Sequence, residues 1–510
     1  MVKYGMLAAY VGAGAGLVVS PVVLAETNQQ MSEEIKQLQA QVRALQAKQQ
    51  QEVAAPAAIT ATTAPSSDAV PVTAKGATIN LGGLRLTPGG FFAGEVIYRR
   101  NNENSDIASN FSSYYYRSNP NYYSSELRPS ARQSRVQLLA QGPEDSVNKV
   151  EGFIASDFLS SGTSSNSKES NSYTLRIREA YATYARKDLD FYILGGQTWS
   201  LATMYKTGLN PRSENIPIGI DPQYVVGFQW ARQAGFRYVQ NLFHDKIALG
   251  ISVEEPQDVI AGTAPAGATG TTTGMNVLNN TTTYSDDIAP DVIYKIAVDP
   301  GFGHYELYGM TRFFHDRAES TPGTLKSTQN DNSVAQSFGG GLILPVLPKM
   351  LDFQVSGLIG HGIGRYGSGQ LADSTYSLND GSIAPIFSEQ GMLGLVAHPT
   401  KRLDLYTYAG VEHNGSVSGY GTGTGSNATC NVNPVTFGMG VTAACTGVST
   451  VRELTGGFWY KFYQGSIGYM TAGAQVEFVN NTTYADKTGT EGKTNDTSVL
   501  ASFRYYPYQK

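Results

Sequence analysis

The chain has 510 residues, 42 acidic against 37 basic, for a formal charge of −5. Only 15% are charged and 41% are hydrophobic, with 56 Gly and 31 Tyr: too aromatic for disorder, too acidic for a bulk nucleic-acid binder, which carries a basic face. A mean hydropathy of −0.23 excludes a bundle of membrane helices but not a membrane barrel, whose strands are only half apolar.

Residues 1–25 read as a secretory signal peptide. Lys3 opens it, an apolar run follows from Met6 to Val19, and Val23-Leu24-Ala25 offers a cleavage site before Glu26. The alternative is a membrane anchor, for which the segment is barely long enough. Within residues 26–52, Met31, Ile35, Leu38, Val42 and Leu45 recur at steps of 4, 3, 4 and 3 among Gln, Glu, Lys and Arg. A helix this short is marginal alone, so a coiled coil of several copies is expected, against one amphipathic helix lying on its own domain. Residues 53–90 form an Ala/Pro/Thr-rich linker and lead-in.

From Phe91 the period becomes two. Strands are predicted at Phe91–Arg99, Ala131–Gln141, Val147–Leu159, Tyr173–Ala185, Leu189–Trp199, Arg232–Leu242, Lys246–Glu254 and Asp291–Val298. A second set follows at Gly303–Phe314, Ala335–Leu344, Leu351–His361, Phe387–Ala397, Arg402–Glu412, Arg452–Phe462, Ile467–Val479 and Asn495–Tyr506. Seven tight connections alternate with eight long ones rich in Ser, Asn, Thr, Gly and Tyr. That alternation is the pattern of an outer-membrane barrel, and a soluble sandwich has no reason to keep every second loop short. The expected fold is therefore an all-β, transmembrane antiparallel barrel of about sixteen strands over residues 91–510, wide enough for an aqueous lumen.

Alternation also sorts the faces. Val136, Leu138 and Ala140 share a parity facing lipid or a neighbouring subunit, whereas Arg135 and Gln137 face water. In the same way Lys149, Glu151 and Asp157 oppose Val150, Ile154 and Phe158, and Arg176 and Arg178 oppose Leu175, Ile177 and Tyr181. Arg237 lies between Phe236 and Tyr238. A charge on the lipid face costs about 2–4 kcal/mol at mid-depth, so these arginines belong in the lumen. There they either attract anionic solutes as a basic ladder or are spent in ion pairs with Glu151 and Asp157. Tyr98, Trp199, Trp230, Trp459 and Tyr505 are candidates for interfacial girdles.

The third long loop, residues 200–231, is the candidate constriction, with Lys206, Arg212, Glu214 and Asp221 and three stiffening prolines. Folded inward it would set selectivity, and otherwise it covers the mouth. Cys430 and Cys445, in one Gly/Thr-rich loop of an exported chain, read as a disulfide, worth about 3 kcal/mol in the chain-entropy model. A metal site would want more ligands, and only His413 is near.

At this point the sequence resembles a family. The signal peptide, heptad helix, linker and strand pattern, with "SARQSRVQLLAQG" at 130–142, "VEGFIASDF" at 150–158, "LRIREAYATYA" at 175–185, "LGGQTWSLA" at 194–202 and the ending "SFRYYPYQK", look like the DcaP-like trimeric porins of Gram-negative outer membranes. The resemblance implies homotrimers seated among outer-membrane lipids. It further implies N-terminal helices joined as a periplasmic coiled coil, with contact to peptidoglycan open, and uptake of small anions such as dicarboxylates. Arg135, Arg176 and Arg178 match best as lumen basics.

No enzyme, cofactor, metal or nucleic-acid partner is expected. Gly362-Ile363-Gly364-Arg365-Tyr366-Gly367 formally fits a dinucleotide fingerprint, but a Ser/Gly loop follows where a helix is needed. Two functions stay open: a passive diffusion channel, and a surface-binding adhesin or receptor with a plugged barrel.

Overall fold

The computed structural model describes residues 78–103, 105–162, 173–262, 271–273, 283–319, 328–433 and 445–508. The signal segment, the heptad seam and residues 53–77 of the linker lie outside these residues. Sixteen long strands make the barrel. The first eight are β1 (Leu84–Arg99), β2 (Arg135–Gln141), β3 (Asn148–Asp157), β4 (Arg176–Arg186), β5 (Phe191–Trp199), β6 (Arg232–Leu242), β7 (Ile247–Glu254) and β8 (Asp291–Val298). The rest are β9 (His304–Glu319), β10 (Thr328–Leu347), β11 (Leu351–His361), β12 (Phe387–Thr400), β13 (Leu403–Asn414), β14 (Val448–Gly465), β15 (Gly468–Thr483) and β16 (Lys493–Tyr506). Each pairs antiparallel with the next, and β1 pairs with β16 from Phe92↔Tyr505 to Arg99↔Ser498, which closes the sheet.

Closure follows from the side-chain pattern. Val136, Leu138, Ile193, Phe236, Leu249 and Ile251 are exposed on the outer face, while Gln137, Gln233, Arg237 and Glu254 are buried inward. An apolar outer face demands lipid, and in lipid a sheet edge would leave unpaired backbone groups. The tight turns fall at one end, as between β12 and β13 (401–402) and between β14 and β15 (466–467), and the loops at the other.

Several expectations are corrected. The barrel begins at Leu84, seven residues before Phe91, because Pro88-Gly89-Gly90 lies within β1, paired with Leu138, Gln137 and Val136. Gly90 has φ +117°, and a Cβ there would strike the Arg135 carbonyl, so the strand bends only because this residue is Gly. β9 and β10 run on as a hairpin to Glu319↔Thr328, and β15 and β16 pair out to Thr482↔Lys493, which shortens two of the predicted loops. Tyr181 faces inward, not outward. The β3–β4 register jumps from Ala155↔Glu179 to Ser156↔Ile177, so a bulge sends both Arg178 and Glu179 inside and reverses the parity beyond.

The girdle assignment also changes. Tyr98 is exposed on the outer face, and the Tyr505 hydroxyl donates to Ile467 O at the rim of the short turns. Trp199 and Trp459, however, are buried inside the barrel. Cys430 and Cys445 are joined by a disulfide in the loop after β13.

Candidate functional site

The site is built by the segment 200–231, which leaves β5 and returns as β6 after crossing the lumen. Its first part docks beside its own root: Leu201 N donates to Glu254 Oε1 and Tyr205 N to Glu306 Oε1, both at 2.8 Å. Asn215 Nδ2 then reaches Gln354 Oε1 of β11 at 3.0 Å. Beyond Pro217 the partners lie on β13–β15, on the other side of the ring from β5 and β6. Trp459 Nε1 donates to Ile218 O at 2.7 Å, Val226 N to Glu453 Oε2 at 2.7 Å, and Gly227 N to Glu412 Oε1 at 2.7 Å. Ile216, Ile218, Ile220, Val225 and Phe228 pack with Trp199, Trp459 and Leu500. Sequence makes this docking possible on the wall too. A Cβ at Gly410 of β13 would overlap the Val226 carbonyl, so the bare backbone lets the loop lie flush.

Facing the loop is a wall of arginines from β2, β4 and β16. Asp157, 1% exposed at the end of β3, accepts Arg176 through Nε at 2.9 Å and Nη2 at 2.8 Å, and Arg178 Nη1 at 2.8 Å. Arg178 Nη2 also donates to the Tyr224 hydroxyl of the loop at 2.9 Å. Arg135 pairs in register with Asp157 and lies over the Phe91 ring. Arg135, Asp157, Arg178 and Tyr224, with Arg504, Gln133 and Asp221, line one narrow polar cavity between loop and wall. Asp221 itself accepts Ser109 N at 3.1 Å and Gln223 N at 2.7 Å, tying the loop after β1 to the constriction segment.

The remaining sequence-predicted residues lie elsewhere. Lys149 pairs with Glu151 at 3.1 Å near the short-turn end, and Glu151 also takes Arg212 at 3.1 Å. Arg237 bonds the Tyr205 hydroxyl and Trp199 O, both at 2.5 Å, and so grips the root of the loop rather than extending the ladder. Glu214 is buried and bridges in register to Tyr205. Lys206 N donates to Ser213 O at 2.8 Å within the loop's first turn.

Sequence reasoning missed Arg504, Arg232 and the loop-holding Glu412 and Glu453. Arg504 was legible, since it sits between outward Phe503 and Tyr505; it holds Glu95 at 3.0 Å and Gln133 at 3.1 Å. Arg232 stacks its guanidinium near the Trp199 and Trp230 rings, at 4.8 and 5.1 Å. No local pattern marks it. The Gly362–Gly367 segment opens as a single 3-10 turn at Gly364–Tyr366, beneath which Glu412 accepts Gly369 N at 2.9 Å.

No protein-family model matches the chain, and no curated protein matches its sequence. Among solved structures, the outer-membrane channel DcaP of Acinetobacter baumannii is similar in fold, with a TM-score of 0.57 at 18% identity over 84% of this chain and 99% of that one. OmpF of Salmonella typhi (TM-score 0.45, 10% identity, 84% and 100% coverage) aligns less closely. So does the anion-selective porin of Comamonas acidovorans (0.43, 11%, 83% and 99%). The fold is thus the porin-like, sixteen-stranded membrane barrel, shared with the DcaP channel.

Proposed function

We propose that the chain forms a water-filled channel in a Gram-negative outer membrane for passive diffusion of small hydrophilic solutes, with a preference for anions such as dicarboxylates. The observation that carries this reading is the segment 200–231, bonded across the lumen so that a narrow polar cavity remains against Arg135, Arg178 and Arg504. A loop that narrows a wide lumen sets passage by charge and hydrogen bonding. Arg176 and Arg178 share one carboxylate, Asp157, so the pair keeps a positive excess where a solute must pass. Passive diffusion requires no cofactor. The outer apolar face suits lipid and, over part of its circumference, further copies of the chain in a homotrimer. The heptad segment 26–52 is assigned to the periplasm, as a coiled coil that gathers those copies and can reach peptidoglycan.

The plugged, surface-binding alternative draws on the burial of most of residues 200–231. A planar bilayer under a KCl gradient separates the two. Stepwise openings in threes, a reversal potential leaning to anions and block by succinate support the proposal. Openings without anion preference leave a porin of another solute class, and a silent bilayer from folded protein favours the plugged reading.

A further inference from the structure

At the long-loop end of the barrel, away from the constriction, lies a cavity of about 470 Å³ between the loop after β1 and the disulfide-bonded loop after β13. Its size suits a small ligand. Arg100 and Arg117 line it, and both are exposed with no ion pair among the described residues. The nearby acids already have partners: Asp496 accepts Asn101 N at 2.8 Å and Ser498 Oγ at 3.0 Å, and Glu491 pairs with Lys493 at 3.4 Å. In residues 100–134 the acids are Glu103, held by Arg99 at 2.8 Å, Asp106, held by Arg132 at 2.6 Å, and Glu126, shared by Arg99 and Arg128. Residues 415–433 of the other loop carry no acidic side chain.

The other lining groups are of two kinds. Tyr122 and Tyr123 sit on a 3-10 turn, Pro120–Tyr123, capped by the Asn119 side chain, with their rings edge-on at 5.1 Å. Asn101 and Asn431 are fixed in place: Asn101 N donates to Asp496 Oδ1 at 2.8 Å, and Asn431 accepts Lys493 N at 2.8 Å while donating to Glu491 O at 2.9 Å. The walls are joined as well, since Ser118 N donates to Cys430 O at 3.3 Å beside the disulfide. A preorganised wall lowers the ordering cost of binding.

We propose that this cavity is a binding site for a carboxylated sugar. Two uncompensated guanidiniums hold a carboxylate by paired, charge-assisted hydrogen bonds. The tyrosine rings offer an apolar face to a pyranose ring and hydroxyls to its edge. An inorganic anion would leave those aromatic groups unused. The site is independent of the pore's selectivity, so either proposal can fail without the other.

The test is calorimetry on the full chain in detergent, with glucuronate as probe against glucose and inorganic phosphate. Glucuronate is expected to bind at least about tenfold tighter than either, a difference of ~1.4 kcal/mol. Arg100→Gln with Arg117→Gln is expected to abolish that margin while leaving conductance and reversal potential unmoved. Tyr123→Ala, which changes no charge, is expected to weaken glucuronate and spare phosphate. No glucuronate binding, equal binding of phosphate, or binding that survives the double substitution would overturn the proposal. A glucuronate oligomer too long for the pore distinguishes the source: binding as tight as the monomer points to a surface glycan, and weaker binding to a free solute.

Discussion

Asp157 shows how one carboxylate organises a wall. Two arginines reach it from β4, because Arg176 and Arg178 share the inward parity, and the bulge at Arg178-Glu179 turns Glu179 inward beside them. Losing both cations leaves Asp157 unpaired beside the passage. Arg176→Gln with Arg178→Gln is therefore expected to move the reversal potential toward cations. Each charge contributes about 1 kcal/mol at close range in a water-like medium, so the permeability ratio should shift severalfold. An unmoved potential in bilayer recordings would remove these residues from the selectivity argument.

The elements that matter most are the loops, each held by side chains from distant strands. Gly410→Ala inserts a methyl where Val226 O lies against β13, an overpacking of about 1–3 kcal/mol. The constriction segment is expected to lift, raising single-channel conductance and flicker while circular dichroism stays that of the intact barrel. Replacing Cys430 and Cys445 by Ser removes about 3 kcal/mol of loop constraint. Limited proteolysis should then nick residues 415–447 faster, with thermal unfolding of the barrel unchanged. A third loop contact responds to pH. Asp258, after β7, accepts Ser374 Oγ at 2.5 Å from the loop after β11, and burial beside the Asp373 carboxylate pushes its pKa up to about 8. A carboxyl raised in the folded state costs nothing below its ordinary range, progressively more as pH rises, and a constant amount above the folded value. Hydrogen exchange in these two loops, corrected for intrinsic rates, should show more opening at about pH 9 than at about pH 5, and Asp258→Asn should erase the difference.

At the scale of the whole molecule, the barrel closes on itself through pairings among its own strands. Every long strand has two neighbours, and β1 finds its second in β16. Deleting residues 26–52 is accordingly expected to preserve heat-modifiable barrel migration on gels. The proposed trimer should loosen, so cross-linked trimers fall relative to monomers while unit conductance stays constant. Trimers of undiminished stability would take the heptad seam out of the assembly.

Sequence alone determined the sixteen strands, their order and the facing of residues such as Val136, Gln137, Ile154, Ile177 and Arg237. Lipid outside and water inside impose a period of two on each strand separately, so Arg232–Leu242, Asp291–Val298 and Leu351–His361 could be delimited to the residue. It also gave Arg135, Arg176 and Arg178 the inward parity, and Arg178 is buried against Tyr224. Where geometry departed from that period, local reading failed. Pro88-Gly89-Gly90 reads as a breaker yet sits in β1, and Tyr181 lies beyond a bulge that leaves no mark in composition. The tertiary structure alone decided that residues 200–231 cross the lumen, that Trp199 and Trp459 hold them there, and that Arg504 from the last strand joins the wall near the first. Those contacts join residues hundreds of positions apart, and only closure of the ring brings them within reach.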